Sequence, residues 1–203
     1  MKYNDASKLL LCLWSLLIVA CAPQANSLTI LHTNDTHSQV EPIAAGKRDA
    51  FHAGYARRMG IIQQERTLDP NLILVDAGDF CQGTPYFNFY RGRIEIDAMN
   101  RMGYDAITLG NHEFDNGMEE LARRIRNLDV PVVCANYDFT ASPIEGLVKP
   151  YVIVEKAGRK IGVIGLLTPL SSVVDKDIAD MMKYLEPDKV ANKYAYELKT
   201  AHD

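Results

Sequence analysis

Short aliphatic runs that break off into polar tips set the first limit on this fold. "LTILHT" (Leu28–Thr33), "LILVDA" (Leu72–Ala77), "AITL" (Ala106–Leu109) and "PVVCA" (Pro131–Ala135) are each bounded by Asp, Asn or Gly. Runs of this length and composition read as buried strands. Helical segments lie between them. In "GMEELARRIRNLD" the residues Met118, Leu121, Ile125 and Leu128 fall on one face, and "ARRIRN" reads as the solvated face opposite. "GYARRMGIIQQER" repeats the pattern through Tyr55, Met59 and Ile62, and "RIEIDAMNRMG" through Ile94, Ala98 and Met102. Strand–helix–strand alternation implies an α/β fold, with a mainly parallel sheet covered by helices.

Farther along, in "YVIVEKAGRKIGVIGLLTP", two apolar runs flank Ala157–Gly158–Arg159. They read as a β-hairpin joining the sheet, with Gly162 and Gly165 allowing close packing. Pro187 suits a first helical position, and Val190, Tyr194, Leu198 and Ala201 then share a face. A helix of this kind normally hands over to another strand, and none follows here.

The N-terminus obeys different rules. Lys2 and Lys8 precede the apolar run Leu9–Ala20. A bilayer-spanning helix needs about 20 apolar residues, so the run fits the core of a signal peptide instead. It ends in "IVAC", which resembles a lipobox with Cys21 as the lipidated residue; ordinary cleavage near Ala20–Ala22 is the alternative. The expected organisation is a signal peptide at 1–20, a lipoprotein tether at 21–27 and one domain at 28–203. The expected location is the periplasm or outer membrane, held by the lipid anchor alone.

Export leaves Cys81 and Cys134 where disulfides can persist. Two isolated cysteines without a CxxC motif read as unpaired core residues, a bridge being the alternative. The net charge of −4, with no Lys/Arg run, argues against nucleic acid as a partner.

Three of the strand tips carry the chemistry. "HTNDTH" offers Asp35 and His37, "DAGDFCQG" offers Asp79, and "GNHEFD" offers Asn111, His112 and Asp115. In open α/β sheets ligands gather outside the carboxyl ends of the strands. Carboxylates, an imidazole and an amide oxygen form a mixed N/O set that suits Zn²⁺, Mn²⁺ or Fe. A carboxylate from the middle strand can bridge two ions roughly 3.5–4 Å apart, the separation used in phosphoester hydrolysis. His112 need not be a ligand. With Asp115 to orient it, it suits transition-state stabilisation or general-acid work. His32 lies within a strand run and reads as structural.

"DTH", "GD" and "GNHEFD", in this order, resemble the first three motifs of the calcineurin-like metallophosphatases. "ILHTND" and "CANYD" are similar to the 5′-nucleotidase branch, and the resemblance runs from Leu28 to the last residue. It implies a metallophosphatase-type β-sandwich flanked by helices. It also implies that Asp35 and His37 hold a first metal, that Asp79 bridges, and that Asn111 holds a second. His112 and Asp115 would be the catalytic pair, and Glu113 would help hold the loop.

The same resemblance implies later histidines and a nucleotide-recognition domain that these 203 residues do not contain. The expectation is an incomplete sandwich and metal-dependent hydrolysis of nucleotide phosphoesters that is weak or absent in this chain alone. At most one ion would be held, weakly. His202 is not assigned as a substitute ligand. The substrate class extends to 2′,3′-cyclic phosphodiesters and nucleotide sugars. The alternatives are a non-enzymatic envelope remnant, or a half completed by a second chain carrying the missing histidines.

Overall fold

The computed structural model describes residues 27–202. The expected signal peptide and Cys21 lie outside the described residues. Strand β1 (Ile30–Thr33) pairs in parallel with β2 (Ile73–Asp76), and β2 pairs in parallel with β3 (Ala106–Ile107), so β2 is central. Parallel neighbours need long crossovers. Helix α1 (Tyr55–Leu68) lies in the first crossover, and α2 (Pro85–Tyr90) and α3 (Arg93–Met102) lie in the second. On α1, Ile62 is buried while Tyr55 and Met59 pack partly buried against the core, as the periodicity predicts.

After β3 comes a 3₁₀ turn (His112–Phe114), then α4 (Met118–Arg126). Met118, Leu121 and Ile125 are buried and Leu128 packs against them, matching the expected face. Arg124 does not match. It is 1% exposed, so the "ARRIRN" segment is not wholly a solvated face. On α3 Met102 is buried as expected, but Glu95, Ile96 and Met99 are buried with it, while Ile94 and Ala98 are only half-buried. A tertiary contact marks the start of this helix. Gly92, at the start of α3, sits so close to the Arg124 side chain that a Cβ there would collide with Cδ. The turn that follows, with Glu95 and Ile96, faces inward.

"PVVCA" continues the sheet without becoming a regular strand. Val132 bridges Ile107 and Val133 bridges Lys149, both in parallel, as isolated contacts. Pro131 has no N–H to give a ladder. Farther on, Cys134 and Ala135 donate to the carbonyls of Lys149 and Gly165, each at 2.8 Å. Cys81 and Cys134 are both buried free thiols.

Strand β4 (Tyr137–Asp138) precedes the hairpin of β5 (Tyr151–Lys156) and β6 (Arg159–Ile164). The hairpin turns through Ala157 and Gly158, whose φ values of 50° and 72° suit a tight two-residue loop. It forms its own two-stranded sheet instead of joining the parallel one. A Cβ on Gly165 would collide with Val133 O, so the hairpin's end abuts the Val132–Val133 segment at van der Waals range. After α5 (Lys176–Ala179), β7 (Lys183–Tyr184) pairs antiparallel with β4. Helix α6 (Pro187–His202) closes the described chain against β6, with the Leu198 side chain lying over Gly162. The architecture is mixed α/β, and sheets this short do not amount to the two layers of a sandwich.

Candidate metal centre

The parallel register sets the ends of β1, β2 and β3 side by side, and their tips are stitched together through the backbone. Asp35 N–H donates to Gly78 O at 3.1 Å, and His37 N–H to Asp79 O at 3.0 Å. Asp35, His37 and Asp79 consequently converge: each offers a ligand atom, and these atoms lie within 4.8 Å of one another. His37 Nε2 is 3.5 Å from Asp35 Oδ1. All three residues are left-handed, with φ of 50°, 42° and 53°. For non-glycine residues that conformation costs about 1–2 kcal/mol each, and such strain gathers where a structure over-determines a functional arrangement.

Asp79 leaves the central strand, and its Oδ1 accepts the His112 N–H at 2.9 Å. Asn111 is one residue earlier, at the head of the 3₁₀ turn, so it shares this tip. Two glycines make the approach possible. A Cβ on Gly110 would overlap the Asp79 carboxylate, and one on Gly78 would overlap the Gly110 backbone.

His112 Nδ1 is 2.9 Å from Asp115 Oδ2, and the His112 ring lies 5.2 Å from that of His37, edge to face. Partial burial pulls the His112 pKa down, but the bond and charge of Asp115 outweigh it and leave it raised. The donor set of two carboxylates and an imidazole, free of thiolates, fits a divalent ion of the Zn²⁺ or Mn²⁺ kind.

Behind the tips sits Glu113, fully buried, with its carboxylate accepting backbone N–H groups from Asp79, Cys81 and Gly110. Burial pushes its pKa up to about 7, against the pull of those bonds. The loop-holding role expected for it is the one its geometry supports. Sequence reasoning missed the support under β2. Asp76 Oδ1 accepts the Gly78 N–H at 2.9 Å, while Oδ2 accepts the Thr33 hydroxyl at 2.5 Å, which also meets Tyr104 OH at 2.7 Å. An acid at the last position of an apolar strand was the available signal.

The model of the calcineurin-like phosphoesterase family matches residues 28–195. The chain belongs to that family. The chain is 38% identical over 181 residues to the snake venom 5′-nucleotidase of Naja atra, covering 85% of this chain and 34% of the venom protein. Among solved structures it is similar to the 5′-nucleotidase precursor of Thermus thermophilus, with a TM-score of 0.78 and 37% identity over 86% of this chain and 35% of that one. The NAD nucleotidase of Haemophilus influenzae gives a TM-score of 0.76 and 31% identity, covering 86% of this chain and 32% of that one. The chain thus falls on the 5′-nucleotidase branch, a family of phosphoric ester hydrolases that use divalent metals. It spans about a third of the length of these relatives.

Proposed function

We propose that this chain hydrolyses nucleotide phosphoesters with the help of divalent ions. The observation that carries the reading is the convergence of Asp35, His37 and Asp79 within 4.8 Å. Asp35 and His37 would hold a first ion, Asp79 from the central strand would serve both, and Asn111 would serve a second. The bound ions supply Lewis acidity toward a phosphoryl oxygen. His112, oriented by Asp115, presents a ring nitrogen toward the scissile ester and stabilises the developing charge. The Asp115 bond occupies Nδ1 and leaves Nε2 for the substrate.

Counting ligands bounds the activity of this chain by itself. Among the described residues the first ion would have three, and the second would have Asp79 and Asn111. Two protein ligands hold a transition metal poorly, and each lost ligand or support costs about 10–100-fold. Weak turnover by the isolated chain is the expectation on this count. The parallel sheet and the β5–β6 hairpin would then belong to the two layers of the family's sandwich. The apolar run Leu9–Ala20 and the following Cys21 support export and lipid anchoring in the envelope.

Calorimetric titration of the purified chain with Mn²⁺, followed by phosphate release from AMP, tests this reading. One ion per chain and slow, chelator-sensitive hydrolysis, both lost in Asp79→Asn, are the expected results. A chain that binds no divalent ion overturns the metal centre. Turnover in the ordinary enzymatic range of about 1–10³ s⁻¹ overturns the expectation of weak activity.

A further inference from the structure

The turn that carries His112 and Asp115 is gripped from beneath by a charge that helical periodicity assigns to solvent. Arg124 Nη2 donates to the Glu113 carbonyl at 2.5 Å, and Nη1 to Asn116 Oδ1 at 3.3 Å. Glu113 directly follows His112, and Asn116 directly follows Asp115. One planar guanidinium therefore holds the chain just past each member of the pair. Its stem is seated on Gly92, and its face lies 5.5 Å from the centre of the Phe87 ring.

Burying an arginine is costly unless its donors are used well, and its rigid fork suits two acceptors held at a set spacing. Arg124 makes no ion pair among the described residues, and the hydrogen bonds of its guanidinium there come from Nη1 and Nη2 and go to this turn, its buried Nε having no hydrogen-bond partner. The turn needs outside support. Its own bonds are Phe114 N–H to Asn111 O at 3.1 Å, Asp115 N–H to His112 O at 3.3 Å and Gly117 N–H to Phe114 O at 2.8 Å. Short 3₁₀ segments of this kind have poorer hydrogen-bond geometry than an α-helix.

We propose that Arg124 is a positioning residue for the His112–Asp115 pair, its guanidinium keeping the turn closed so that Nδ1 and Oδ2 stay in contact. This deepens the reading of that pair as catalytic and rests on it for its kinetic consequence. Its structural consequence stands apart.

Amide hydrogen exchange on Arg124→Met separates the two. The Phe114, Asp115 and Gly117 amides are expected to exchange about tenfold faster or more, with the β1–β2 ladder amides unchanged. Unchanged turn amides overturn the proposal. So does a uniform acceleration across the sheet, which would mean that Arg124 merely supports the core. If the Met variant does not fold, Arg124→Lys carries the same comparison, since a lysine keeps the charge and loses the fork. Where the wild-type chain hydrolyses AMP with Mn²⁺, kcat is expected to fall with KM unchanged. Arg124→Met should then add no further loss to His112→Ala, and additive losses overturn the positioning role. A wild-type chain without hydrolysis counts against the proposed function, while the exchange result still decides the case for Arg124.

Discussion

Glu113 holds Asp79 by its backbone. Glu113 Oε2 accepts the Asp79 N–H at 2.9 Å and the Gly110 N–H at 2.6 Å, joining the second strand tip to the third. Oε1 takes the Cys81 N–H at 3.0 Å, so one carboxylate closes three amides. In Glu113→Gln an NH₂ group would face an N–H donor. An unsatisfied buried donor costs about 1–3 kcal/mol, so the variant should unfold at lower urea concentration. The wild-type carboxyl, raised by burial from 4.5 to about 7, contributes stability that is fully present below pH 4.5 and lost as the pH rises through about 7. Urea midpoints of the metal-free protein at pH 4.5 and pH 7.5 should therefore differ less in Glu113→Gln than in wild type. Equal differences would remove Glu113 as their source.

Asp115→Asn should lower the His112 pKa, because burial then acts with far less opposition. A raised imidazole pKa means that the pair stabilises the fold below the ordinary value of 6.5, and that this is lost as the pH rises through the folded value. The substitution should cost stability at pH 6 and little at pH 9. Nitrogen-15 spectra of the imidazole across this range, with urea midpoints alongside, check both statements. An unshifted His112 would show that Asp115 is not its partner in solution.

Gly110→Ala should displace the Asp79 carboxylate, since the added methyl would occupy its Oδ1 position. The expected outcome is a loss of Mn²⁺ affinity of about 10–100-fold, read by calorimetry. Gly60→Ala is the control, since a Cβ there meets nothing within 4 Å and the change should leave Mn²⁺ binding alone. Equal affinity in both variants would mean that Asp79 is not a ligand.

Thr33→Val removes the hydroxyl that donates to Asp76. Burial raises the Asp76 pKa from 3.8 to about 6, and the Thr33 and Gly78 bonds hold it down from going higher. The variant should titrate above about 6 in a carbon-13 carboxyl titration, and an unchanged value would refute the link. A raised carboxyl pKa also means that the Asp76 contribution to stability is present below pH 3.8 and fades as the pH rises through the folded value.

Much of the site was legible because its signals are local. Glycine beside an acid, as in Gly78–Asp79, announces a chain that turns sharply at close quarters, and both Gly78 and Gly110 lie where a Cβ would collide. The i,i+3 spacing of His112 and Asp115 predicted a pair, and a single 3₁₀ turn makes it. Arg124 was not legible. Its neighbours Arg123 and Arg126 are exposed or half-exposed on the same helix, and nothing in "RRIR" says which arginine points inward. Asp76 was hidden similarly, because its partners Thr33 and Tyr104 come from other segments.

The amino-acid order by itself determined the periods of the strands and helices, the polar tips and the glycines that let those tips turn. These depend on residues within a few positions of one another, where backbone sterics and side-chain spacing act directly. Tertiary structure alone decided that residues 35, 37 and 79 meet within 4.8 Å, that Glu113 and Arg124 are withdrawn from water, and that the β5–β6 hairpin stands as its own sheet. Distance between remote residues follows from the parallel register. Burial is a sum over everything packed around a group, and a linear pattern does not carry that sum.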